Sequence, residues 1–429
     1  MKKTTLAGGA AVIAGVIAAG LLWQNGDTSA DDVADNQTLT SQPPAAADAA
    51  AVARGRYVAI AGDCVACHTA PGSKEAFAGG YSISTPFGGI YASNITPDKE
   101  TGIGSWTERD FYRAVRHGKG KEGEHLYPAM PYNAYVKVSD QDMHDLWMYM
   151  RSVKPVRYRV PETNLGFPYN IRLAMMGWNL LFFRNSGFES DPGKSAEFNR
   201  GAYLVQGLGH CGTCHTSKNF LGGDKGDRFL SGSEVEGWYA PNLGADAHTG
   251  LGKWTQEDIV SYLRTGVNRY AIASGPMADA VRHSTQYWRE EDLRAVATFL
   301  KEGKTHDEEV PQPLAASDDR MKLGAQIYEA KCSACHSPGG RGERNIFPQL
   351  ASNPLINQPN ATSLIRVVSA GSRGVDTDAR PTAPAMPAFA GVLDDEQIAA
   401  VLTYVRNSWG NAAAPVSASD VKNVKDDLK

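Results

Sequence analysis

The sequence has no excess of basic residues and no cysteine outside one recurring motif. Lys and Arg number 43 against 47 Asp and Glu, which gives a formal net charge of −4. This balance excludes the basic stripe by which proteins bind nucleic acid, so no nucleic-acid partner is expected. Charged residues make up 21% and hydrophobic residues 42% of the 429 residues. That composition is typical of a soluble globular protein of several domains and excludes a multi-span membrane protein.

The N-terminus carries an uncharged apolar run from Thr4 to Trp23, preceded by Lys2 and Lys3. A membrane-spanning helix needs about 20 such residues, whereas the apolar part of a secretory signal has about 7 to 15. The length favours a retained transmembrane helix within residues 1–26, with a cleaved signal as the alternative. Either one exports the rest of the chain. Residues 27–50, rich in Ala, Asp and Pro, are expected to form a flexible tether.

All six cysteines fall in three copies of Cys-x-x-Cys-His. The copies are Cys64/Cys67/His68, Cys211/Cys214/His215 and Cys332/Cys335/His336. In this motif the two thiols bind a haem covalently and the histidine binds its iron. Disulfides or zinc sites are the alternatives, but a closed zinc site needs about four ligands and each copy supplies only three locally. The sequence therefore predicts three covalently bound haems c.

An internal repeat accompanies the motifs. Each copy follows a predicted helix, and Gly104–Asp110 in the first repeat matches Gly252–Asp258 in the second. Thr107 and Thr255 in these stretches are expected helix N-caps, because their hydroxyls can accept hydrogen bonds from the first turn. Each repeat closes with an amphipathic helical pattern, at 140–153, 290–302 and 394–408. Repetition of this kind indicates copies of one small helical domain.

The predicted fold class is all-α, with three tandem class I cytochrome c-like domains behind an N-terminal membrane helix. The predicted segments after the tether are domain 1 at 51–157, a connector at 158–196, domain 2 at 197–305, a linker at 306–315, domain 3 at 316–412 and a charged tail at 413–429.

Methionine or histidine usually supplies the sixth ligand of an electron-transfer haem. Met130 lies 62 residues after His68 (130 − 68), and Met277 lies 62 residues after His215 (277 − 215). Met386 follows the third motif, within the same Pro-Ala-Met-Pro sequence that surrounds Met130. We expect all three methionines to be axial ligands, the alternative being that each fills a gap in a core. The histidines outside the motifs share no spacing and are expected at the surface.

With these motifs the chain resembles the three-haem cytochrome c subunits of membrane-bound periplasmic dehydrogenases from acetic acid bacteria and pseudomonads. The resemblance also rests on Thr85–Asp98 and Tyr127–Tyr132. It implies a subunit at the periplasmic face of the inner membrane that takes electrons from a catalytic dehydrogenase and delivers them to ubiquinone. The catalytic partners it implies are alcohol, gluconate, fructose, sorbitol or aldehyde dehydrogenases, with quinone, flavin, or molybdenum and iron–sulfur cofactors.

The C-terminus departs from that family. Members that serve alcohol, gluconate and fructose dehydrogenases have a C-terminal membrane-binding extension, whereas the tail after Trp409 is short and charged and cannot insert into a bilayer. This difference favours anchoring by the N-terminal helix and, as partner, a molybdenum-dependent aldehyde dehydrogenase. Two other functions stay open: a self-contained haem enzyme such as a peroxidase or reductase, in which Met277 is not a ligand, and the cytochrome subunit of a terminal oxidase.

The connector contains an unusually apolar and aromatic stretch at 167–183. One interpretation is a surface for the partner, the membrane or a quinone. The other, which we prefer, is a helix packed between domains 1 and 2, since such a helix also needs an apolar face.

Overall fold

The computed structural model of the protein describes residues 46–85, 87–306 and 309–428. They form two compact units: Cys67–Phe188 with the residues up to Ala59, and Glu189–Lys429 with Ile60–Ala66. The predicted membrane helix and all but the last residues of the tether lie outside the described ranges. Within those ranges, no helix is long and apolar enough to cross a membrane. The division into three domains stays a prediction.

The first unit is mainly helical. Its helices are α1 (Ala46–Ala61), whose last two residues belong to the second unit, α2 (Cys64–Cys67), of which only Cys67 belongs to the first unit, α3 (Glu108–His117), α4 (Tyr132–Tyr135), α5 (Asp140–Ser152) and α6 (Ala174–Phe182). Its three short strands are β1 (Ser82–Thr85), β2 (Gly88–Tyr91) and β3 (Asn164–Leu165). They form one antiparallel sheet in the order β1-β2-β3, in which Gly88 pairs with Leu165. Because β3 and α6 belong to the predicted connector, that part of the chain packs on the first unit.

The second unit repeats this arrangement of helices. Its helices are α7 (Ala196–Tyr203), α8 (Gly212–His215), α9 (Gln256–Thr265), α10 (Pro276–His283), α11 (Glu290–Lys301), α12 (Asp319–Lys331), α13 (Ser333–His336), α14 (Thr362–Ala370), α15 (Asp395–Arg406) and α16 (Ala418–Asp426). A π-helical turn, Leu204–Leu208, extends α7. Two hairpins complete the unit, β4 (Ser233–Val235) with β5 (Trp238–Ala240) and β6 (Ser372–Arg373) with β7 (Ala385–Met386). The structure is therefore helix-rich, with small sheets that the sequence did not indicate.

The predicted helix starts at Thr107 and Thr255 are confirmed. The hydroxyl of Thr107 accepts a hydrogen bond from the Asp110 amide, and the Asp110 carboxylate accepts one from the Thr107 amide, at 3.2 and 3.0 Å. Thr255 and Asp258 make the same reciprocal pair at the start of α9. Each pair satisfies amides that have no partner inside the helix, which fixes where the helix begins.

A glycine recurs where each repeat's first helix crosses its last helix. A Cβ atom at Gly55 would lie 1.8 Å from the carbonyl oxygen of Asp145, and one at Gly201 would lie 1.9 Å from that of Ala295. At Gly324 it would lie 2.3 Å from the carbonyl oxygen of Ala400. These distances are shorter than any non-bonded contact allows. Only glycine therefore permits the two backbones to approach this closely at each of the three crossings.

Two of these crossings also carry a bidentate ion pair. Arg54, beside Gly55, donates to both carboxylate oxygens of the fully buried Asp145 at 2.7 and 2.8 Å. Arg200, beside Gly201, donates to both oxygens of the buried Asp292 at 2.6 and 3.0 Å. A buried carboxylate without such a partner would be strongly destabilising, so each pair fixes the register of its crossing.

We expect Gly201→Ala to destabilise the second unit by about 1–3 kcal/mol, because the new methyl group must push α7 away from α11. An alanine in an unstrained helix would instead stabilise by roughly 0.5–1 kcal/mol relative to glycine. Thermal unfolding of the holoprotein measures the change. Gly187→Ala is the matched control, since nothing lies within 4 Å of a Cβ atom there. An unchanged melting temperature for Gly201→Ala would contradict the steric account.

The charged tail folds onto the end of the second unit. α16 packs on α15 through Val421, which is fully buried. Lys425 of α16 contacts Asp395 of α15 at 2.6 Å. A helix that buries its apolar residue against the protein has no apolar face left for a bilayer.

Candidate haem-binding sites

The cysteines of each motif lie on, or directly before, a single helical turn. Cys64 and Cys67 begin and end α2, Cys211 precedes α8, and Cys332 precedes α13. One turn of helix brings the two thiols of a motif to the same side of the backbone. No disulfide joins any two of the six cysteines, all of which lie in the described ranges, so the disulfide interpretation is not supported.

Burial also weighs against thiolate chemistry at one or more cysteines of the second and third motifs. It raises the pKa of Cys211 to about 12 and that of Cys332 to about 11. Zinc binding and disulfide exchange both use the thiolate, which such pKa values disfavour. Nowhere in the described ranges do three or more His, Cys, Asp or Glu side chains form a group that could hold a metal ion. The donor set therefore fits covalent attachment of a haem better than it fits zinc.

The three motif histidines have the same hydrogen bond. The Nδ1 atom of His68 lies 2.7 Å from the carbonyl oxygen of Ser93, and that of His215 lies 2.7 Å from the carbonyl oxygen of Pro241. His336 makes the corresponding contact with Pro348 at 3.1 Å. A carbonyl can only accept, so Nδ1 carries the proton and Nε2 keeps its lone pair. A histidine oriented in this way presents Nε2 to a metal.

The environment keeps these imidazoles neutral. Desolvation by burial lowers the pKa of His68, His215 and His336, and the carbonyl contact offsets only part of that effect. An imidazole must be unprotonated at the ligating nitrogen to bind iron. At neutral pH the histidine of each motif therefore has an unprotonated Nε2 atom that can bind iron.

A buried asparagine fixes the loop that supplies the carbonyl in the first two sites. Asn94 follows Ser93 and donates through its side-chain amide to the carbonyl oxygen of Val156 at 2.8 Å. Asn242 follows Pro241 and donates to the Asp246 carboxylate at 2.7 Å. The sequence analysis missed the two carbonyl acceptors. In both loops an asparagine directly follows the residue that supplies the carbonyl, Asn94 after Ser93 and Asn242 after Pro241. This shared asparagine is the sequence feature that could have identified the two acceptors.

Met130 lies in an irregular turn before α4. Its amide donates to the carbonyl oxygen of Tyr127 and its own carbonyl accepts from the Tyr132 amide, at 3.1 and 2.8 Å. The side chain is half-buried. The flanking Pro128 and Pro131 restrict this turn, as a loop that presents a ligand requires.

Met277 and Met386 lie on regular elements instead. Met277 is in the first turn of α10 and packs, half-buried, against a cluster of Ala273, Ala278, Val281 and Val375. Met386 ends β7, where it pairs with Ser372 of β6. The structure thus places each methionine on a different element from its motif histidine but in the same unit. Coordination by the three methionines stays a prediction.

One buried donor fits the carboxylates of a haem. The indole of Trp254 lies between Tyr270 and Tyr262, with ring centroids 5.7 and 5.6 Å away. Its Nε1 atom has no hydrogen-bond acceptor within the described part of the chain. Tyr262 in turn packs against the cluster that contains Met277. A buried indole N–H without a partner is costly, and a haem propionate would supply the acceptor.

The prediction that the histidines outside the motifs lie at the surface is wrong for one of them. His306 is buried, and its Nε2 atom lies 2.9 Å from the carbonyl oxygen of Phe229. This bond joins residues 77 positions apart, so local spacing could not reveal it.

Paired thiols on a helical turn, followed by an oriented neutral histidine, define a c-type cytochrome. The sequence pattern of the cytochrome c family matches residues 52–154 and 321–409. The chain is 41% identical to the gluconate 2-dehydrogenase cytochrome c subunit of Pantoea cypripedii, over 89% of this chain and 91% of that one. It is 40% identical to the cytochrome c subunit of the quinone alcohol dehydrogenase of Gluconacetobacter polyoxogenes, over 91% and 87%. It is 39% identical to the fructose dehydrogenase cytochrome subunit of Gluconobacter japonicus, over 90% and 85%.

The chain therefore belongs to the family of cytochrome c subunits of bacterial dehydrogenases, which confirms the predicted resemblance. Covalently bound haem c is the cofactor of the cytochrome c family.

Proposed function

We propose that the chain carries three haems c and transfers electrons from a catalytic dehydrogenase subunit to ubiquinone at the periplasmic face of the inner membrane. The observation that carries the proposal is the threefold recurrence of one ligand arrangement. In each motif the histidine is neutral, its Nδ1 is held by a backbone carbonyl, and two cysteines that form no disulfide adjoin it. A bound haem c supplies one-electron exchange between ferrous and ferric iron.

The chain's own residues hold and orient the cofactors. The cysteine pairs form the covalent attachments, and His68, His215 and His336 are the first axial ligands. Met130, Met277 and Met386 are the second. With both axial positions taken by side chains, no position remains for a substrate, so the chain exchanges electrons rather than atoms.

Contacts inside the second unit favour transfer between the second and third sites without domain motion. The Val375 amide, from the loop after β6, donates to the carbonyl oxygen of Ala273 at 3.2 Å. The Val375 side chain joins the cluster against which Met277 packs. β6 also pairs with β7, which carries Met386. The segments that carry Met277 and Met386 are therefore held together within the second unit.

The relatives' names support a dehydrogenase as the electron donor. Its cofactor is molybdenum with iron–sulfur clusters, a quinone or a flavin. We favour the molybdenum-dependent aldehyde dehydrogenase, because helix α16 packs on α15 and so does not itself bind a bilayer. Attachment to the membrane is then assigned to the apolar run at residues 4–23.

Isolation of the complex from membranes tests this function. We expect a catalytic subunit to co-purify, its substrate to reduce all of the haem, and added ubiquinone to reoxidise it. Absorbance of the reduced haem follows both steps. Two outcomes would contradict the proposal: peroxide turnover by the isolated cytochrome, which indicates a haem enzyme, or oxygen consumption by the complex, which indicates a terminal oxidase.

A further inference from the structure

Exposed apolar side chains are concentrated in the segment that includes α6. Six of the fourteen large hydrophobic side chains exposed in the described chain lie between residues 167 and 181, namely Phe167, Tyr169, Ile171, Leu173, Leu180 and Leu181. Phe167 is 81% exposed. Single exposed apolar residues are ordinary, whereas a group of them marks an interaction surface. We call these six residues the connector surface.

Helix α6, which carries Leu180 and Leu181, packs on the rest of the first unit. Its inner face packs on Tyr132, whose hydroxyl donates to Asn179 at 2.7 Å and whose ring lies 6.5 Å from that of Trp178. Leu180 and Leu181 lie on the opposite face. Leu173, the residue directly before α6, lies two helical turns from Leu180 and so on the same side. The same helix therefore has one apolar face used within the first unit and a second that the unit does not cover.

Within the segment that forms the connector surface, the charges have one sign. Acidic residues number 47 in the chain, yet none occurs among the 25 residues from Thr163 to Gly187 (187 − 163 + 1). The charged residues there are Arg172 and Arg184, both exposed. The Arg172 guanidinium lies 4.7 Å from the ring centre of Tyr127 and donates to the carbonyl oxygen of His125, and the exposed Glu162 lines the same pocket as Arg172. Exposed leucine and aromatic side chains with two arginines in the same segment fit the headgroup region of an anionic bilayer.

We propose that the connector surface docks on the surface of a bilayer that contains anionic lipid. Phe167, Leu180 and Leu181 enter the boundary between headgroups and acyl chains, and Arg172 and Arg184 contact lipid phosphates. This contact is separate from the proposed N-terminal anchor. It brings the first unit to the membrane, in addition to the attachment that the N-terminal run provides.

Hydroxyl-radical footprinting of the full-length holoprotein tests the contact. The protein is placed in vesicles of phosphatidylcholine alone or of phosphatidylcholine with phosphatidylglycerol, and side-chain modification is measured by mass spectrometry. We expect modification of Phe167, Leu180 and Leu181 to fall roughly fivefold or more in the anionic vesicles, since each arginine near an anionic surface strengthens binding by about that factor. Phe220 is the internal control, because it is 89% exposed and lies outside the connector surface.

A pair of double variants separates the docking from folding and from electron transfer. Leu180→Gln with Leu181→Gln should abolish the protection of Phe167 in anionic vesicles, while Phe220→Gln with Leu221→Gln should leave it intact. Both variants replace exposed side chains, so haem content and the rate of haem reduction by substrate in detergent should be unchanged. Electron transfer thereby reports on the proposed function independently of docking.

Three results would overturn the inference. The connector surface could be modified as readily as Phe220 in anionic vesicles, which would show that it stays in water. It could be equally protected in both kinds of vesicle, which would give the arginines no role. It could be protected by the catalytic subunit in the absence of lipid, which would make it a protein interface.

Discussion

Replacing both Cys332 and Cys335 by alanine is expected to lower the covalent haem content from three to two per chain. Each motif has its own two thiols and its own histidine. Loss of the thiols of one motif should therefore leave the haems of the other two motifs attached. Without thioether bonds a haem is held only by its axial ligands and is lost under denaturing conditions. The pyridine haemochrome assay on denatured protein measures the loss. Equivalent double variants of the other two motifs should give the same decrease.

The control for this experiment is a substitution of Ser333, which lies between Cys332 and Cys335. Ser333 is the first residue of α13, and its hydroxyl donates to the carbonyl oxygen of Glu329. Ser333→Ala therefore alters the same helical turn without removing a thiol, and it should retain three haems. A wild-type protein with fewer than three covalent haems would contradict the proposal, as would a cysteine variant that keeps all three.

The sequence was sufficient for features that depend on local spacing. The three motifs lie on helical turns, Thr107 and Thr255 begin α3 and α9, and the closing helices appear as α5, α11 and α15. Each of these depends on residues within about one or two turns of one another. A thiol pair, a capping box or an amphipathic stripe of this kind can be recognised from the order of neighbouring residues alone.

Features that depend on distant residues could not be predicted. The carbonyl oxygens of Ser93, Pro241 and Pro348 belong to backbone, and every residue has one, so only the path of the loop selects them. A glycine recurs in the first helix of each repeat, but the reason for it is a contact with a second helix that lies between 76 (400 − 324) and 94 (295 − 201) residues away. The strands have two to four residues, too few for an alternating pattern to be recognised.

The second large effect is expected at Met277, the proposed axial ligand whose sequence context differs most from those of the other two. Met277→Leu keeps most of the side-chain volume that packs against Val281 and Val375 but removes the sulfur. A thioether ligand favours ferrous iron, so its loss should lower the potential of one haem by some tenths of a volt, within the range of about 0.8 V that axial ligands span. Redox titration followed by absorbance measures this shift.

Near-infrared spectroscopy gives a direct test of the same ligand. The oxidised wild type should show the sulfur-to-iron band, and Met277→Leu should remove about a third of its intensity if three methionines coordinate. Met148→Leu is the matched control, because Met148 is also half-buried but lies on α5 outside the sites. If Met277→Leu leaves both the band and the potentials unchanged, the second iron has another ligand or an open position. An open position would let peroxide or another small molecule bind, and the chain would then act as a haem enzyme at that site and not only as an electron carrier.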